Sequence, residues 1–436
     1  MILETLDTRR KALKINLDEN IYGTFAEIGA GQEVARNFFT AGAASGTIAK
    51  TMSAYDMTFS NEIYGLEESG RYVSKSRLEK MLNHEFALLG ERLCSTDYQT
   101  RTFFSFADTV TTLNYNKSND PHGWLGIKFQ LEPCGPSNNI IFHVRLLDSD
   151  ATLQQNVLGI LGVNLVYAAF NYYKEPKRMI ESLADNLSIG SVEIDLISVN
   201  GPAFADLSEV LVNLYLIQKG FSSAAIFTPN AGVVQAKDFM YKQHIMILRT
   251  RFNQKTKPDF ELFSHAVTQY KAYLEISDAE LITMAELTLN NMMEKAESDD
   301  GELLNRVAKR AKEITEMGHA VIISNFNRHN KLAKYLAKCK PKSVAITTSI
   351  ANLKHIFLSE NYGANYTNEL LAYISDLFSG NVKLLTYPFR DIKNKIIVTT
   401  KNLVVSPEAK PLFDFLIQNK YILDIEEIKE LEVNND

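Results

Sequence analysis

Cysteine is scarce in this chain: Cys94, Cys134 and Cys339 are the whole supply in 436 residues, odd in number and widely spaced. That scarcity argues against a disulfide framework and a cysteine-based zinc site, and it makes a reducing cytosol the expected compartment. A long apolar run is missing too. The longest, residues 157–170, is shorter than the roughly 20 residues that cross a bilayer and contains Asn164, so a buried helix is expected there. The opening MILETLDTRRKALKINLDEN is charged throughout and lacks the apolar stretch and cleavage site of a secretory signal. Neither sign of charge prevails: 46 Lys and Arg against 52 Asp and Glu leave a net charge of -6. Such a balance argues against clamping a nucleic-acid backbone over a broad surface. No His-Glu-x-x-His or paired Cys-x-x-Cys occurs, so a metal site would need ligands from distant segments. A Gly-x-Ser-x-Gly elbow is absent, which lowers the case for a hydrolase of that kind. Repeats and low-complexity tracts are absent as well, and no motif specifies a cofactor.

What is present reads as a mixed α/β protein. With 45% hydrophobic and 22% charged residues the composition is that of an ordinary globular chain, and the length implies two or three domains. Residues 2–14 predict a leading helix and 22–28 a short strand that ends at Gly29-Ala30-Gly31. Residues 32–41 follow as a helix, with Val34, Phe38 and Ala41 at helical spacing. Residues 76–93 form an amphipathic pattern around Leu78, Met81, Leu82, Phe86 and Leu89. Between 101 and 147 the texture turns to Thr, Val, Phe and Ile, and 101–115, 126–131 and 140–147 predict an antiparallel meander. An apolar helix over 155–173 follows, then strands at 191–199, 224–228 and 243–251, with a helix at 207–219. Residues 260–296 read as mostly helical and 294–302 as a solvated connector. Beyond 303, helices alternate with strands at 320–325, 343–347 and 382–386, which predicts a Rossmann-like parallel sheet. The expected divisions are 1–152, 153–258 and 259–436.

Several polar groups stand out against this frame. The glycine turn before a helix could hold an anion through free amides and the helix dipole, or could simply pack the helix closely on the sheet. Lys50 and Asp56 follow the small-residue segment 40–47; Asp56 reads equally as a helix N-cap. Alternation places Asp108 among Phe104, Phe106 and Val110, so it must be protonated or paired, with Arg101, Lys128 or Arg145 as candidate partners. His143 and Arg145 share one strand face, an arrangement suited to a phosphate or carboxylate, or to a solvated surface. Trp124 could stack on a base or anchor a core. Arg328 and His329 lie just past the carboxyl end of a predicted parallel strand, where open α/β sheets bind ligands.

The strings YGTFAEIGAGQEVAR, TIAKTMSAYDMTFS, HGWLGIKFQL and LGVNLVYAAF resemble those of a bacterial family whose members are often automatically labelled nicotinate-nucleotide adenylyltransferase. The likeness runs over most of the chain. It implies a Rossmann-like domain and adenylyl transfer from ATP to a pyridine mononucleotide. The signature of such transferases resembles G-T-F-x-P-x-H-x-G-H, whose histidines stabilise the ATP phosphates. Gly23, Thr24 and Phe25 match its opening; Gly29 and Gln32 stand where the histidines belong. A second signature, a Ser/Thr run ending in arginine, has an echo in Thr347-Thr348-Ser349-Ile350 without the arginine. No catalytic residue is carried over.

The resulting expectation is a cytoplasmic enzyme, a transferase acting on a nucleotide or another small phosphorylated ligand, with no membrane partner. Glu27, Glu33 and Asp56 are the candidate acid/base groups. Arg36, Lys50, Arg101, His143, Arg145 and Arg328 are the candidate ligand contacts. The rival reading is a non-catalytic regulatory protein or homo-oligomer in which these charges form ion pairs. Convergence of Glu27, Arg36, Asp56, Asp108 and Arg145 on one open cleft separates the two.

Overall fold

A helix over Thr8–Asn16 (α1), capped by the Asp7 side chain, leads into the first strand, Ile21–Ile28 (β1). The strand stops at the glycine turn, as expected, and the helix Gln32–Ala41 (α2) starts immediately after it. A strand that the sequence did not announce, Ile48–Ser53 (β2), then pairs parallel with β1. Two helices follow, Met57–Tyr64 (α3) and Lys75–Leu93 (α4), capped by Asp56 and Ser74. The predicted meander is present as Thr102–Thr111 (β3), His122–Gln130 (β4) and Ser137–Leu146 (β5). After the helices Ala151–Asn171 (α5) and Pro176–Leu183 (α6), Val192–Asn200 (β6) completes a six-stranded sheet of order β2-β1-β3-β4-β5-β6. Helix Glu209–Gln218 (α7) packs against β6. This computed structural model describes residues 5–188, 190–230, 232–250, 256–289, 300–391 and 396–426.

Helix α4 covers one face of the sheet, and α2 with α5 cover the other. Gly162 and Gly159 let the last two approach closely: a Cβ at 162 would stand 2.4 Å from a Val34 methyl, and one at 159 would stand 2.8 Å from Glu33 Cβ. Helix α5 has the length and mean hydropathy, 1.3, of a membrane span, but 72% of its most apolar window is buried inside the protein. Asn164 on it is fully buried because its amide donates to the Leu183 and Asp185 carbonyls and accepts from Lys11. Lys11 in turn pairs with Asp185 at 2.6 Å. A buried helix with its polar groups satisfied is what the sequence led one to expect.

Ala224–Thr228 (β7), where a strand was expected, and Gly232–Val234 (β8) make a hairpin, and the helix Ala236–Met240 (α8) follows. Then come His244–Thr250 (β9), Thr256–Leu274 (α9), Leu281–Thr288 (β10), Asp300–Glu316 (α10) and Ala320–Ser324 (β11). His329–Lys338 (α11), Ser343–Ser349 (β12), Ile350–Ile356 (α12), Tyr366–Leu377 (α13) and Val382–Tyr387 (β13) continue the alternation. A small ribbon of Phe389–Asp391 (β14) and Ile396–Val398 (β15) precedes Lys410–Gln418 (α14) and Ile422–Asp424 (β16). The eight-stranded sheet has the order β16-β13-β12-β9-β10-β11-β7-β8. Six of its strands run parallel, and counting these by appearance from β11 gives 3-2-1-4-5-6, the doubly wound dinucleotide-fold order. The expected Rossmann-like sheet is therefore present.

One element departs from expectation. Residues 281–288 lie in a stretch read as helical, yet they form the strand β10, flanked by β9 and β11. Leu, Met, Ala and Glu favour helices intrinsically, but a strand buried on both sides takes any residue that fills it; Met284, Ala285, Glu286 and Leu287 are fully buried. The chain divides into units 1–222 and 223–436, whereas the sequence placed breaks after 152 and 258. Pairing of β5 with β6 crosses the first of those positions, and pairing of β9 with β10 crosses the second. Most of the connector expected over 294–302 lies outside the described residues.

Candidate functional site

In the N-terminal unit the glycine turn sits over acidic, not cationic, neighbours. Glu27 at the end of β1 is in register with Asp108 on β3, and both side chains are buried. Ser53 on β2 donates to Glu27 at 2.9 Å. Among the described residues Asp108 has no cation beside it: Arg101, Lys128 and Arg145, its expected partners, are engaged elsewhere. Burial, and then the charge of Glu27, holds the Asp108 carboxyl well above its usual range. Burial likewise pushes Glu27 up to about 7, against the opposing Ser53 hydrogen bond. A Cβ at Gly31 would stand 1.8 Å from Asp108 Oδ2. The glycine at 31 thus leaves room for the protein's own carboxyl.

The opposite face of the same sheet carries a second cluster. Strand alternation and register put His122, Trp124, His143 and Arg145 on the α4 side, away from Glu27 and Asp108. Asp195 Oδ1 lies 2.6 Å from His143 Nδ1, and His143 Nε2 lies 3.0 Å from His122 Nδ1, an Asp–His–His chain running towards the half-buried His122. Arg145 donates to Glu193 at 3.0 Å, with Asp120 at 4.0 Å. Trp124 is 4% exposed and packs on His143, so it serves the core and not a base. The sequence flagged His143 and Arg145 together, but their acidic partners on β6 lay some 50 residues away and carried no local signal.

The remaining predicted residues are dispersed. Glu33 and Arg36 pair with each other at 3.1 Å on the outside of α2. Exposed Asp56 caps α3, accepting from the Phe59 amide at 2.9 Å. Lys50 pairs at 2.7 Å with buried Glu85 on α4, which also accepts from Tyr64. Arg101 lies before β3, stacked on Tyr98 and donating to the Gly46 carbonyl at 2.6 Å. Glu27, Arg36, Asp56, Asp108 and Arg145 do not share one open cleft, so the test set by the sequence goes against a catalytic site built from these residues. Among the described residues, no group of three or more His, Cys, Asp and Glu is placed to hold a metal ion.

In the C-terminal unit, polar groups gather at the carboxyl ends of the parallel strands. Arg249 on β9 is in register with Glu286 on β10, and their Nε–Oε2 distance is 2.9 Å. Glu286 is fully buried and also accepts from Ser324 at 2.6 Å and Thr288 at 3.0 Å; the Arg249 guanidinium also donates to the Phe326 carbonyl. Helix α11 begins just beyond, with exposed Arg328 at its N-cap. Desolvation and the neighbouring Arg249 push His329 down to about 3, which keeps that imidazole neutral. The Tyr373 hydroxyl faces the first amides of α11 and feels both Arg249 and Arg328, although burial raises its pKa overall. Thr348 Oγ, near the end of β12, and Asn330 Oδ1 are buried without a partner among the described residues. The strand order reverses between β9 and β12, and α/β sheets of this kind bind ligands at that point, outside the carboxyl ends. Sequence reading found Arg328 and His329 by position, but missed Arg249, Glu286 and Tyr373.

No protein-family model and no curated protein matches this chain. Among solved structures it is similar to a competence/damage-inducible protein from Agrobacterium tumefaciens, at 15% identity and a TM-score of 0.28, over 38% of this chain and 98% of that one. A competence-damaged (CinA) superfamily protein from Klebsiella pneumoniae gives 10% identity and 0.28, over 37% and 96%. At such values nothing about function is carried across.

Proposed function

We propose that the protein binds a nucleotide or another small phosphorylated ligand at the carboxyl edge of its C-terminal unit. The observation that carries this reading is the 3-2-1-4-5-6 order of the six parallel strands, with a polar cluster assembled at their carboxyl ends. Arg328 offers an exposed cation at the start of α11, where amides and the helix dipole also favour a phosphate. Arg249 stands behind it on β9, its charge compensated and its guanidinium held in place by Glu286. Neutral His329 can exchange hydrogen bonds with a ligand without repelling or attracting charge. If the ligand also reacts, group transfer is the class that the family resemblance implies.

Titration calorimetry of the full chain with ATP, pyridine mononucleotides and sugar phosphates tests the reading. One of these should bind, and Arg328→Ala should weaken it at least about tenfold, because a charge-assisted phosphate contact is worth roughly 1.5–3 kcal/mol. Absence of binding by all of them, or binding that ignores Arg328→Ala, would favour the non-catalytic alternative.

A further inference from the structure

Cys94 caps the C-terminal end of α4, and Cys134 lies in the turn between β4 and β5. They are 40 residues apart in sequence, yet their sulfurs are 4.0 Å apart. Cys134 is exposed and Cys94 half-buried, whereas Cys339 is buried in the other unit. The backbone at Cys134 adds a second, independent observation. Its φ of 54° lies in the left-handed region, where a side chain with a Cβ is held at some cost and glycine or asparagine is the usual occupant. That conformation aims the Cys134 sulfur at Cys94 and at the Gln99 carbonyl, 3.9 Å away.

We propose that Cys94 and Cys134 form a redox-responsive dithiol, which a low-molecular-weight disulfide such as oxidised glutathione converts into an internal disulfide that staples the end of α4 to the β4–β5 turn. The Cys134 thiolate attacks one glutathione sulfur, breaking the glutathione disulfide and releasing one glutathione thiolate. The Cys94 thiol then gives up its proton and attacks the Cys134 sulfur, expelling the second glutathione. The two protein thiols are oxidised, one glutathione disulfide is reduced to two thiols, and both protons end on glutathione. Burial, followed by the neighbouring sulfur, raises the Cys94 thiol above its ordinary range, so exposed Cys134 makes the first attack. The sulfurs must close by about 2 Å to reach a bond of about 2.05 Å, a movement that a helix end and a turn can absorb. Leu131 and Pro133 of the same turn line a cavity of about 480 Å³ with Thr100, Gln130, Phe170 and Tyr173, so the staple fixes one rim of that cavity.

The test treats the full-length protein with glutathione disulfide and follows it by intact mass spectrometry and peptide mapping. The expected product has lost two hydrogens, contains a linked Cys94–Cys134 peptide and retains a free Cys339. Cys94→Ser should instead stop at a stable glutathione adduct on Cys134, while its urea midpoint, read by Trp124 fluorescence, matches that of the reduced parent. The oxidised parent should show a higher midpoint that dithiothreitol reverses. Accumulation of stable glutathione adducts on the parent, or of disulfides between chains, without the internal link would overturn the proposal.

Discussion

Each unit buries a glutamate near the carboxyl end of an interior parallel strand, and the two are treated in opposite ways. Glu286 on β10 faces Arg249 across the ladder and accepts hydroxyls from Ser324 and Thr288. Glu27 on β1 faces Asp108, a second acid, and accepts a single hydroxyl from Ser53. One arrangement is a compensated ion pair; the other is stable only while protons remain on the carboxyls. The difference lies in which residue the sheet register sets opposite the glutamate.

The only tryptophan, Trp124, lies in the N-terminal unit, so its fluorescence reads that unit while far-UV circular dichroism reads both. The largest expected effect is that of Arg249→Ala, which leaves the buried Glu286 without its cation and should cost about 3–5 kcal/mol. Urea denaturation should show an early loss of dichroism with the Trp124 transition in place; equal displacement of both signals would break the contrast between the units. Next comes pH. The folded pKa of Glu27, about 7, lies above its unfolded value of 4.5, so the native state binds the extra proton between those limits. The stability from this group is fully present below pH 4.5 and is lost as pH rises through about 7, by at most about 3 kcal/mol. The Trp124 midpoint should therefore fall between pH 5 and 8, and Glu27→Gln combined with Asp108→Asn should flatten the dependence. An unchanged slope in that double variant would contradict the account of Glu27 and Asp108 as two facing, protonated acids.

Smaller effects separate the buried acids from the surface ones. Asp56→Ala removes the cap of α3 and should lower stability by about 1 kcal/mol in the same Trp124 assay. Arg36→Ala breaks only the exposed pair with Glu33 and should cost no more than about 0.5 kcal/mol. A larger loss at Arg36 than at Asp56 would show that α2 is held by its surface charges.

Much of the fold was legible because it rests on local pattern. The alternation of 101–147 gave the meander, and the βα alternation past 303 gave the parallel sheet. Strand β10 was hidden because Leu, Met, Ala and Glu speak for a helix until burial on both sides overrides them. The site was less legible, for a different reason. The partner of a buried charge is chosen by strand register across a long gap in the chain: Asp108 for Glu27, Arg249 for Glu286, Asp195 for His143. Periodicity told which face Asp108 occupies, but it could not tell that the residue across the ladder would be another acid.

Hydrogen exchange of the full chain, with and without the ligand that binds best, tests the central claim most directly. Protection confined to 324–330 and 347–349, where β11 meets α11 and β12 ends, is the predicted result. Protection at the Gly29–Gly31 turn or along the His122–His143–Asp195 chain, with none at the carboxyl edge, would contradict it.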